Sequence, residues 1–143
     1  MSPRSSDVDL VAALADDDPG ALAEAYERYG EAVYRFALRL CGRQRAEEVT
    51  HEVFLALWRD PKAFELSAGS LRMPLLVMAH GQGLIGERGS SLSRLPDAEH
   101  RAIALTHFGG YTYQQVAAAV HQPQAAVAAD IFTGLRRLDT KAL

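Results

Sequence analysis

Five histidines, one cysteine and a pair of arginines near the C-terminus are the side chains of this 143-residue chain whose types could do chemistry. His51-Glu52 begins the H-E-x-x-H spacing that sets two imidazoles on one helical turn around zinc, but position 55 is Leu. His100, His107 and His121 fall on helix surfaces and turns with no Cys or carboxylate at ligand spacing, which predicts surface histidines and no metal. Cys41 lies on an apolar helix face without an evident base, so it reads as a small core residue rather than a nucleophile. No glycine-rich phosphate loop follows a strand. These patterns point away from an enzyme and imply no cofactor.

The stretch HQPQAAVAADIFTGLRRL, residues 121–138, has the spacing of the turn and second helix of a helix-turn-helix. Where such a helix offers Lys, Arg, Ser or Asn to a groove, this one offers Ala128, Ala129 and Asp130. The formal net charge is −3, whereas a chain that grips phosphates usually carries a basic excess. The shape and the chemistry therefore disagree.

The elements that must carry these residues are all helical. Asp7 is placed to cap a first helix carrying Val8, Leu10, Val11 and Leu14. Asp18-Pro19 starts a second, in which Leu22, Tyr26, Tyr29, Val33, Phe36 and Leu40 recur at steps of four and three until Gly42. A third runs from about Arg45 to Arg59, burying Ala46, Val49, Val53 and Leu57, with Phe54, Leu55 and Trp58 at the edge of its apolar stripe. In SLRMPLLVMAHGQGLIGERG, residues 70–89, each interior Gly costs about 1 kcal/mol of helix stability, which predicts a break after Ala79. Three short helices are expected after Pro96. Thr112-Tyr113-Gln114-Gln115 is a capping box, and Val127, Ile131, Leu135 and Leu138 line the last helix. No run approaches the ~18 apolar residues of a membrane span, and the N-terminus lacks a signal-peptide core. A single Cys permits no internal disulfide, and the expected location is cytoplasmic.

The run ALAEAYERYGEAVYRFALRLCGRQRAEEVTHEVFLALWRDPKAF is similar to region 2 of bacterial sigma-70 factors of the extracytoplasmic-function (ECF) type. LSRLPDAEHRAIALTHFGGYTYQQVAAAV resembles the start of their region 4, and AEEVTHEVFLALWRDP at 46–61 is the densest match. The resemblance implies an all-α chain: a sigma region 2-like helical bundle over 7–88, a short linker at 89–93, and a region 4-like helix-turn-helix domain over 94–143. It further implies docking on the clamp helices of RNA polymerase core through Glu47, Glu48, His51, Glu52, Leu55, Trp58 and Arg59, and promoter reading by both domains. An acidic outer face flanked by Leu55 and Trp58 agrees physically with a basic partner helix and a desolvated anchor.

Departures from the family pattern cluster where the family touches DNA. Pro74 stands where a Trp is usual, and His80, Gly81 and Gln82 replace Arg-Asn-Arg. Ile85 replaces Asp and Gly89 the last Arg, which leaves Arg88. The G-T-V-K-S-R-L-x-R pattern of the last helix becomes Ala125 to Ile131 with Thr133. Arg88, Tyr113, Gln114, Gln115, Arg136 and Arg137 remain as candidate DNA contacts, although capping and a solvated C-terminal turn account for several equally well. A linker of about five residues, each reaching at most ~3.5 Å, is too short for separated promoter elements and predicts domains packed on each other. The functional expectation is control of transcription initiation through contacts to polymerase core, with autonomous promoter recognition weakened. The alternative is a sigma mimic that occupies an anti-sigma factor, or the clamp, and so regulates a genuine sigma factor.

Overall fold

In the computed structural model, residues 6–84 and 95–142 are described, and they are helical throughout apart from turns and one isolated bridge between Ser67 and Ser70. Helix α1 spans Asp7–Ala15. Its cap is Ser6, whose hydroxyl accepts from the Asp9 amide, and not Asp7 as the sequence suggests. Asp7 is instead drawn inside, because Arg28, Tyr29 and the Leu71 amide converge on its carboxylate.

Helix α2, Pro19–Arg59, is continuous except at Gly42, where φ 82° and ψ 171° kink it into the two segments the apolar spacing predicts. Asp18 caps it from the Gly20 amide, with Pro19 at the first position. Val33, Phe36 and Leu40 of the first segment and Ala46, Val49, Val53 and Leu57 of the second are buried. Phe54, expected at the edge, is buried as well.

After a 3₁₀ turn at Pro61–Ala63, helix α3 runs over Arg72–Leu84 and packs chiefly on α2. It does not break after Ala79. Gly83 is buried beside Leu40 and Cys41, where an added Cβ would make only ordinary contact at 3.6 Å, and the packing of α3 on α2 outweighs the propensity loss. Arg45 also donates to the Gln82 carbonyl at 3.0 Å, satisfying one of the last acceptors of α3. The linker at 89–93, Ile85 and Arg88 lie outside the described residues.

Helix α4, Asp97–Ile103, widens into a π-helical turn at Ala104–Phe108, closed by the Gly109 amide donating to the Ala104 carbonyl at 3.0 Å. Helix α5, Tyr113–Val120, opens with both hydrogen bonds of the predicted capping box. His121 in the left-handed conformation makes the turn to α6, Gln124–Ala142. At 19 residues α6 is longer than expected. Its inner seam also differs: Leu135 is 44% exposed, while Gly134 is buried against Ile103 and Glu99 of α4. The two stretches flanking residues 85–94 share one hydrophobic core, in which Leu71, Met73 and Leu76 join Ala104, Leu105, Val116 and Val127. Side-by-side packing, expected from the short tether, is what the molecule adopts.

Candidate protein-docking face and helix-turn-helix

The second segment of α2 turns Ala46, Val49, Val53 and Leu57 inward, so its 3.6-residue period turns Glu47, Glu48, His51 and Arg59 to solvent, all exposed. Glu52, Leu55 and Trp58 are half-buried between the two faces. One relation here is not visible in the pattern of the outer face alone. Arg45 donates to Glu48 at 2.7 Å and reaches Glu52 at 3.4 Å, so two of the acidic groups are already tied to a cation. Desolvation lowers the Arg45 pKa, but the hydrogen bonds it donates to Glu52 and Glu48 outweigh it and raise it overall. Tyr26, 55% exposed, stacks edge-on against Phe54 at 5.1 Å and extends the apolar edge. The sequence assigned Tyr26 to the buried stripe, and its place on the flank follows from the second segment folding back on the first.

The helix-turn-helix carries less than its shape promises. Tyr113, Gln114 and Gln115 are exposed at the start of α5, but the Gln115 amide oxygen accepts from the Thr112 amide and belongs to the cap. Arg137 donates to Glu99 of α4 at 2.9 Å, and Arg136 lies 5.6 Å over the Phe132 ring. Arg72 is turned into the molecule, donating to the Gly109 carbonyl at 3.0 Å and lying 5.0 Å from the Tyr111 ring centre. Arg88 is outside the described residues. The docking residues and the DNA candidates sit on different elements, and no hydrogen bond or ion pair joins the two groups among the described residues.

His80 and His100 correct the expectation of surface histidines. Both are buried, at 3% and 1% exposure, and His80 Nε2 lies 2.6 Å from His100 Nδ1 across the junction of α3 and α4. One ring must donate and the other accept, so the accepting imidazole is neutral. Burial, then the neighbouring His100 and Arg101 charges, push the His80 pKa down to about 3. His121 does stay at the surface, paired with Glu65 at 2.8 Å. Among the described residues no group of three or more His, Cys, Asp or Glu could hold a metal. None of their helices is long and apolar enough to cross a membrane. Cys41 is half-buried and directs its thiol to the Ala37 carbonyl.

Residues 25–82, which span most of α2 and α3, match the model of sigma-70 region 2. Over this stretch the chain is similar to the sigma-70 family. It is 29% identical to the ECF RNA polymerase sigma factor SigK of Mycobacterium tuberculosis (strain ATCC 25618 / H37Rv), with 80% of this chain and 82% of the relative covered. It is 25% identical to the protein of the same name from Mycobacterium sp. (strain JLS), covering 94% and 90%. Its fold is similar to that of CnrH in complex with the cytosolic domain of CnrY, at TM-score 0.71 and 20% identity over 93% of this chain and 94% of that one. The first alignment spans 154 positions but draws on 80% of 143 residues, about 114, so roughly 40 of its positions have no counterpart here. Relative to that protein the chain is thus shorter within the aligned stretch.

Proposed function

We propose that this chain controls bacterial transcription initiation by binding RNA polymerase core through Glu47, Glu48, His51, Glu52, Leu55, Trp58 and Arg59, with autonomous promoter recognition weakened. The observation that carries the reading is how the cations are used. Arg137 is paired with Glu99 and Arg72 is turned onto Gly109 and Tyr111, while the outer face of α2 stays open. A helix that meets phosphate through Ala128, Ala129 and Asp130 lacks the sequence-independent electrostatic attraction on which DNA affinity mostly rests. The kinship with sigma factors supports the polymerase as the partner.

Trp58 is the proposed anchor, and Trp58→Ala is expected to weaken binding to core by about 2 kcal/mol or more, as buried aromatic anchors do. Arg136→Ala should leave that affinity within two-fold. Fluorescence anisotropy with duplex and fork-junction DNA, at several salt concentrations and with or without core, tests the second half of the proposal. Weak binding with a shallow salt slope is expected. Sub-micromolar DNA binding with a steep slope would restore full promoter recognition. Capture of an anti-sigma factor with no measurable core affinity would instead make the chain a sigma mimic.

A further inference from the structure

We infer that the cleft between α2 and the π-helical turn binds a small phosphate monoester whose body carries an aromatic or apolar ring. Four of the chain's 15 Lys and Arg residues, Arg28, Arg35, Arg39 and Arg72, line this one cavity of about 610 Å³. That volume is typical of a small-molecule site.

Charge matching selects the ligand. Arg28 is neutralised by Asp7 at 2.6 Å and Glu24 at 2.5 Å, and Arg35 by Glu31 at 2.5 Å. Arg39 and Arg72 have no carboxylate within ion-pair reach among the described residues. Two unmatched positive charges suit a dianion, which a phosphate monoester is at neutral pH. Both guanidinium groups are also held in place. Arg39 lies 5.4 Å over Phe108 and Arg72 5.0 Å over Tyr111, and a stacked guanidinium keeps its in-plane N–H donors available for oxyanions. Phe36 and Phe108 add apolar wall, which a bare phosphate would leave unused. The arginines and Phe36 come from α2 and α3, and Phe108 and Tyr111 from beyond residue 95, so the complete cleft exists only while the two stretches are docked. A ligand that bridges them stabilises that arrangement.

Isothermal titration and thermal melts of the full chain with phenyl phosphate, inorganic phosphate, phenol and a single-stranded oligonucleotide lacking terminal phosphates form the test. Phenyl phosphate should bind saturably and raise the melting temperature, inorganic phosphate more weakly, and phenol not at all. Arg39→Gln, at an exposed position, should lower phenyl phosphate affinity by about ten-fold or more, the loss of one charge-assisted contact, with its unliganded melt unchanged. Phe108→Leu should weaken phenyl phosphate but not inorganic phosphate. Equal binding by Arg39→Gln, or no saturable binding by the wild type, overturns the site. A tighter, Arg39-dependent grip on the oligonucleotide would reassign it to a nucleic-acid strand.

Discussion

At the scale of single residues, two buried polar groups join parts of the chain far apart in sequence, and each has a defined response to pH. The neutral His80 beside His100 is a tertiary event: both side chains come from helices whose local sequence shows only an isolated His, so spacing rules assigned His100 to the surface. The folded-state pKa of His80 lies below its ordinary 6.5, at about 3. Its contribution is therefore complete above pH 6.5 and is lost as pH falls from there toward 3, at up to about 1.4 kcal/mol per pH unit. Chemical denaturation at pH 7.5, 6.5 and 5.5 should show that decline below 6.5, and His80→Leu should flatten it. A slope equal in both proteins would assign it elsewhere. Asp7 acts in a lower window. Burial raises its pKa, but the hydrogen bonds from Tyr29, the Leu71 amide and Arg28 outweigh this and hold it below 3.8, so its contribution is lost only as pH falls below that value. Asp7→Asn should destabilise the fold by about 3 kcal/mol at pH 7 because it removes the buried one of the two carboxylates that pair with Arg28 and cannot accept all three donors. The sequence located Asp7 correctly at a helix start and could not show that the start is buried.

At the scale of elements, capping and periodicity were legible because their causes are local. The Asp18-Pro19 start and the Thr112–Gln115 box each rest on side chains within three residues of the backbone groups they satisfy. Gly42 was legible as a helix end, but glycines inside α3 and α6 were not, since their intrinsic helix cost is the same whether or not another element lies close by. Gly81 and Gly134 separate the two cases. Nothing lies within 4 Å of a Cβ built on Gly81, an exposed position inside α3, so Gly81→Ala should stabilise by about 0.5–1 kcal/mol in thermal or urea unfolding. At Gly134 the added Cβ would sit 2.6 Å from the Ile103 Cδ1 and 3.3 Å from the Glu99 Cβ. Gly134→Ala gains the same propensity yet should lose about 1–3 kcal/mol to overpacking between α6 and α4. If both substitutions shifted the midpoint the same way, close approach would not be the reason for Gly134.

At the scale of the whole molecule, shortening and electrostatics act together. A protein shortened internally relative to its relatives keeps both helical stretches and seals them through a common core, with His80–His100 and Arg72–Gly109 as polar ties across the seam. Of these tie residues, His80 stands at one of the departures from the resembled basic pattern, so that position is used in the seam. If the seam is as continuous as the core, unfolding is one cooperative transition rather than two. Trp58 is the only tryptophan and belongs to the first stretch, whereas Leu105, fully buried, belongs to the second. Leu105→Ala removes a core side chain at a cost of about 2–5 kcal/mol. Its effect should reach Trp58 in full: the fluorescence midpoint should fall together with that of far-UV circular dichroism, and the two curves should stay superimposed. Two independently stable bundles would leave the Trp58 transition where it is in the wild type, because the cavity would then destabilise only the bundle that contains it.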